Sequence, residues 1–331
     1  MSGKYDPATF IQRTFHDARE RFLRDEESPV AYFRSCVKQI EELEPSVKAW
    51  ASLRLEDALR DAAASEARYR AKRPLSLIDG MPIGIKDVLS TKDMPTNFGI
   101  IGNENHTRFD SPIAQALRDA GAIILGKTTT TELAFGDPSE TKNPFDLTRT
   151  PGGSSSGSGA AVGARMVPAA IGTQVGGSLI RPASYNANFA LKPTIGGLNR
   201  GEDLNYSHLA CGVHAGSLID MWRVTIEIAK RVGGDPGYLG VVGNDDLANA
   251  CVPQTIALIE TEGWSETEQT TRDGFHAFRT QLESAGITTL TKDNNVHIRR
   301  FEQVIANAKE LTLGIIAWEG QWYLGRMLGK G

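Results

Sequence analysis

With 331 residues, 40% of them hydrophobic and 23% charged, the chain has about two domains' worth of material and enough apolar side chains for a large core. Its net charge of −4 is spread without a basic block or an acidic tail, which gives no electrostatic footprint for nucleic acid or a membrane surface, and no apolar run approaches the roughly 18 residues that span a bilayer. Cys36, Cys211 and Cys251 are odd in number and far apart, and the N-terminal stretch has no apolar signal region, so unpaired thiols in a reducing, cytoplasmic setting are expected.

Residues 6–72 read as mainly helical, with "EDALRDAAASEARYRAK" a strong helix former that keeps one face solvated. From about residue 76 short apolar runs alternate with helical periodicity. Met81, Ile83 and Ile85 share one face of a strand, which sends Gly84 and Lys86 to the other. In "DSPIAQALRDAGAIILGK", Asp110 or Ser111 caps a helix, Pro112 sits near its first position, Gly121 ends it, and Ala122–Leu125 begins a buried strand. A helix over 157–165, strands over 166–173 and 188–194, and a helix over 216–232 follow, the last stopping at Gly233-Gly234-Asp235-Pro236. "QTIALIET" and "ITTLTK" are later strand candidates, and 296–328 reads as helical. This alternation predicts an α/β fold around a mostly parallel, covered sheet.

The stretch 148–184, "TRTPGGSSSGSGAAVGARMVPAAIGTQVGGSLIRPAS", is rich in glycine and serine, yet an apolar segment runs through it, which argues against a linker. Gly157–Gly163 loosely matches a dinucleotide fingerprint, but no strand precedes it and no ribose-binding acid follows. Gly153-Ser154-Ser155-Ser156-Gly157 matches a nucleophile elbow literally, again without the strand that such an elbow needs. The two Gly-Gly-Ser units fit better as facing loops. Bare N–H groups beside a hydroxyl suit a serine nucleophile with an oxyanion hole, where one donor contributes about 2.7–4 kcal/mol to the transition state. Lys86 is the candidate base, provided that burial brings its pKa from about 10.4 to near neutrality. The alternative is a strand-end lysine that reaches solvent or pairs with Asp87, although adjacent strand residues point apart.

"GMPIGIKD", "TPGGSSSGSGAAVGA", "GTQVGGSLIRPAS" and "ALKPT", in this order over about residues 30–235, resemble the amidase signature family. The resemblance implies an α/β/α sandwich with a large mixed central sheet covered by helices, preceded by an N-terminal helical segment. It also implies hydrolysis of a small carboxamide by a Ser–cis-Ser–Lys triad that uses no metal or cofactor. By motif position, Ser178 would be the nucleophile, Ser154 the bridging serine in a cis peptide after Gly153, and Lys86 the base. The N–H groups of Val175, Gly176, Gly177 and Ser178 would form the oxyanion hole.

Gln174 stands where many members have Asp, and Ser156 replaces a common Gly. His208, His214 and Trp222 read as core or surface residues outside the triad. A single amidase-signature domain is expected, with a helical part over 1–75, a signature core over 76–235 and a variable part over 236–331. The family's later "GLPA…P" and "LPVGLQ"-like strands are not found, so a truncated form is expected. The expected partner is a small amide, with a homo-oligomer compatible and neither nucleic acid nor membrane involved. The rival readings are a glutaminase-type subunit of a tRNA-dependent amidotransferase and an inactive truncated remnant.

Overall fold

Helical spacing of apolar residues becomes helix at α1 (His16–Leu23), α2 (Pro29–Val47) and α3 (Leu55–Arg70). Ser28 caps α2 by accepting from the Ala31 N–H, and Pro29 takes the first position, where a missing N–H costs nothing. Between α2 and α3 the chain departs from the all-helical expectation and forms β1 (Trp50–Leu53). Lys48 adopts a left-handed conformation that ends α2. The Glu44 carboxylate then accepts the Ala49 and Trp50 N–H groups, both at 2.9 Å, which turns the chain into an extended strand.

This computed structural model describes residues 9–202 and 206–328, and the chain forms two compact units, Met1–Leu247 and Ala248–Gly331. The first unit continues with β2 (Pro82–Lys86), α4 (Pro112–Asp119), β3 (Ile123–Thr128), α5 (Ser156–Gly163), β4 (Ala169–Gln174), α6 (Ile180–Tyr185), β5 (Phe189–Leu191), β6 (Ala210–Ala215) and α7 (Leu218–Val232). Its six strands run in the order β1-β3-β2-β4-β6-β5. β2 pairs in parallel with both β3 and β4, whereas β1–β3, β4–β6 and β5–β6 are antiparallel. The sheet is therefore mixed, as the resemblance implies, and not mostly parallel as alternation alone predicts. α6 carries the chain from β4 across to β5, which runs in the same direction, and the connection from β5 to β6, with no helix among its described residues, then returns β6 antiparallel between them.

One face of the sheet carries a core of Phe33, Ile40 and Leu43 from α2, Ala58 from α3 and Ala160 and Ala161 from α5, packed on Ile123 and Leu125. On the other side α4 and α7 pack against each other, with α4 on β3 and α7 on β5 and β6. Ser111 caps α4 and Ser217 caps α7, and the Asp220 carboxylate in the first turn of α7 accepts the Phe15 and His16 N–H groups. The start of α1 is thereby tied to the first turn of α7.

Residues 236–247 pack on this first unit: the Trp222 Nε1–H donates to the Asn244 carbonyl at 2.8 Å, and Arg223 pairs with Asp246 at 2.7 Å. The second unit holds β7 (Thr255–Ala257) and β8 (Thr288–Leu290), paired in parallel, with α8 (Gln269–Ser284), α9 (Val296–Ile305) and α10 (Ala308–Leu328). Among the described residues no helix is long and apolar enough to cross a membrane.

Candidate active site

Lys86 ends β2, the strand with parallel neighbours on both sides, so its side chain emerges from the middle of the sheet and is fully buried. Its Nζ lies 2.7 Å from Ser154 Oγ and 2.9 Å from Thr173 Oγ1. Both partners are neutral hydroxyls. Burial accordingly lowers the lysine pKa from 10.5 to about 7, opposed only by a weaker influence from Cys211.

Asp87, the alternative partner, points away and pairs with the buried Lys127 at 3.4 Å. Its carboxylate also accepts the Asn97 N–H at 3.1 Å, and Lys127 donates to Thr96 Oγ1 at 2.7 Å. This pair anchors the segment that covers the end of β2. Burial raises the Asp87 pKa, and the Lys127 charge pulls it back. Asp87→Asn removes the carboxylate from this buried ion pair, and a loss of about 3–5 kcal/mol is expected. Denaturant unfolding of the variant checks it, with an unchanged midpoint as the contrary result.

Ser154 sits in the loop before α5, after a cis Gly153–Ser154 peptide bond. Its carbonyl accepts the Thr131 N–H at 3.2 Å and the Thr130 hydroxyl at 3.1 Å. The next residue joins the two Gly-Gly-Ser loops: the Ser155 N–H donates to the Ser178 carbonyl at 3.2 Å, and Ser155 Oγ bridges the Thr173 N–H and C=O at 3.3 and 3.2 Å. α5 itself is buried throughout. A Cβ on Gly157 would lie 2.2 Å from the Ala49 carbonyl oxygen and 2.4 Å from the Thr129 nitrogen, so only glycine fits there. The glycines of this stretch serve close packing, which is why a linker reading fails.

The turn after β4 carries Val175, Gly176, Gly177 and Ser178. Gly177 has φ +118°, a conformation open to glycine. Gln174 Oε1 accepts the Leu179 and Ile180 N–H groups at 2.8 and 3.0 Å, so a neutral amide oxygen meets the need that an aspartate would meet here. Among the described residues, the N–H groups of residues 175–178 donate to no protein acceptor, and Ser178 is 9% exposed. The turn thus offers unspent backbone donors next to a reachable hydroxyl.

Spacing alone misses Thr173, whose contact with Lys86 follows from the β2–β4 pairing. That pairing sets Ile85 beside Ile171 and brings the two strand ends together. His214 is fully buried, and burial, then the Lys86 charge, push its pKa down to about 3. His208 and Trp222 are half-buried, and the Trp222 indole is spent on the Asn244 carbonyl. The hydroxyls that meet the Lys86 amine are those of Ser154 and Thr173. Among the described residues no group of three or more His, Cys, Asp or Glu side chains is arranged to hold a metal ion.

Comparison with known proteins agrees with this architecture. The amidase family model matches residues 31–310. The glutamyl-tRNA(Gln) amidotransferase A subunit of Gloeothece citriformis is 38% identical over 194 residues, which cover 56% of this chain and 40% of that protein. Its counterpart in Oleidesulfovibrio alaskensis, of the same name, is 43% identical over 231 residues, covering 67% and 45%. The chain therefore spans less than half the length of these curated relatives. Among solved structures, a crystal structure of an amidase superposes with TM-score 0.74 at 20% identity, covering 92% of this chain and 74% of that one. The native peptide amidase of Stenotrophomonas maltophilia gives 0.73 at 27% identity, covering 86% and 62%. A match over most of the sequence and a shared mixed-sheet fold place this chain in the amidase (amidase signature) family.

Proposed function

We propose that the chain is an amidohydrolase that cleaves the C–N bond of a small carboxamide through a Ser178 acyl-enzyme. The observation that carries this reading is the buried Lys86 amine, 2.7 Å from Ser154 Oγ and with its pKa lowered to about 7. With its proton lost, Lys86 takes the proton of Ser154, which takes that of Ser178. Ser178 Oγ bonds to the amide carbon, and the N–H groups of residues 175–178 stabilise the oxyanion. When the tetrahedral adduct collapses, the C–N bond breaks and the proton returns through Ser154 to the departing amine. Water then attacks the ester with the same relay as base, which releases the acid and restores the Ser178 hydroxyl. Thr173 holds the lysine nitrogen on line without adding charge.

The identity to amidotransferase A subunits favours a second reading, in which the amide is glutamine and the ammonia passes to a partner. Ammonia release from a panel of primary amides, glutamine included, separates the two. The purified chain alone should turn over several amides. Activity confined to glutamine and dependent on a copurifying protein would support the second reading instead.

A further inference from the structure

We propose that Arg181 is a positioning residue that straps the Ser154 loop to the nucleophile turn and so keeps the two serines in register. The inference rests on the hydrolase reading above and adds a residue to it.

Arg181 is the second residue of α6, and its backbone N–H already donates to the Gly177 carbonyl at 2.9 Å. Its side chain turns back across the turn. Nε and Nη2 both donate to the Gly153 carbonyl, at 3.1 and 3.0 Å. On the way the guanidinium covers Gly177, where a Cβ would lie 3.7 Å from Nη2 and 3.8 Å from Cζ. Arg181 is exposed and has no carboxylate within ion-pair distance among the described residues. An arginine carries about 2 kcal/mol of rotamer entropy, and here it is fixed by a backbone carbonyl without an acidic partner.

The location gives this contact its meaning. Ser154 is held from both sides by the segment that carries Ser178. The carbonyl before it is held by Arg181, and the amide after it donates to the Ser178 carbonyl at 3.2 Å. The second tie is backbone and survives substitution of Arg181. The first is a side chain on the surface, where removal opens no cavity. Loss of the strap lets the Gly153–Ser154 segment shift relative to Ser178, and a misplacement of about 1 Å in a relay costs about a hundredfold in rate.

The test uses Arg181→Ala and Arg181→Lys in the full chain, with kcat and KM measured separately on a neutral primary amide and on one of equal length bearing a carboxylate. Arg181→Ala should lower kcat about a hundredfold on both amides while KM stays within about twofold. Arg181→Lys, with a single donor head, should fall between it and wild type. Added ethylguanidinium should restore part of the Arg181→Ala rate, and ethylammonium should restore less. Melting temperatures of wild type and variants should agree. A kcat preserved in both variants overturns the strap, as does a loss confined to KM for the acidic amide, which would make Arg181 a substrate-binding group. A wild type that turns over neither amide overturns the hydrolase reading itself.

Discussion

Ser178→Ala is expected to lower amide hydrolysis by roughly a millionfold while leaving the fold intact, the scale of loss when a serine relay is deprived of its nucleophile. The side chain has no structural duty that alanine cannot discharge. Its backbone carbonyl, which accepts the Ser155 N–H at 3.2 Å, is retained, and so are the Gln174 contacts to the amides that follow. Substrate binding should persist, because the donors of residues 175–178 are backbone. Steady-state ammonia release beside the melting temperature checks both halves. A variant with wild-type turnover would move the nucleophile elsewhere, and a variant that fails to fold would give the nearly buried Ser178 a packing role instead.

Lys86→Met is expected to cost about 10⁴-fold in rate, the upper range for a positioned base, and also to change how stability depends on pH. Wild-type activity should rise roughly tenfold per pH unit below about 7, as Lys86 loses its proton, and level off above it. Stability follows the same group. Lys86 titrates near 10.5 in the unfolded chain and near 7 in the folded one, so between these values the unfolded chain binds more protons and wild-type stability increases with pH. Below about 7 both states carry the charge, and the full cost of burying an ammonium weighs on the fold. Above about 10.5 that cost is gone. Methionine at position 86 removes the titration, so wild type should gain on the variant by up to about 4 kcal/mol between pH 7 and 10. Parallel stability curves for the two proteins across that range would show that Lys86 titrates as an ordinary surface lysine.

The parts of this site that sequence reveals are those encoded by a local pattern. Alternation at Met81, Ile83 and Ile85 aims Lys86 across its strand. Ser111 and Pro112 announce α4, and the Gly-Gly-Ser units mark the two loops that meet through Ser155 and Ser178. What local pattern hides depends on pairing between distant strands. β1 lies inside a stretch of good helix formers and exists because Glu44 bends the chain against β3. Thr173 reads as one residue of an apolar strand until the β2–β4 register sets its hydroxyl against Lys86. Asp87 looks like a partner for its neighbour Lys86, yet it pairs with Lys127, which lies 3.4 Å away on β3. Arg181 lies inside the GTQVGGSLIRPAS motif, but its contact stays hidden there because its acceptor is the backbone carbonyl of the distant Gly153.

The claim at the centre of this account is that a buried, uncharged lysine makes Ser178 reactive. The most direct measurement is the rate at which a fluorophosphonate adds to the intact, folded chain as a function of pH, with the modified residue located by mass spectrometry. A single adduct on Ser178 is expected, formed at a rate that climbs as pH passes about 7 and then levels. A folded chain that takes up no phosphonate, takes it up on another residue, or reacts at a rate indifferent to pH would contradict it.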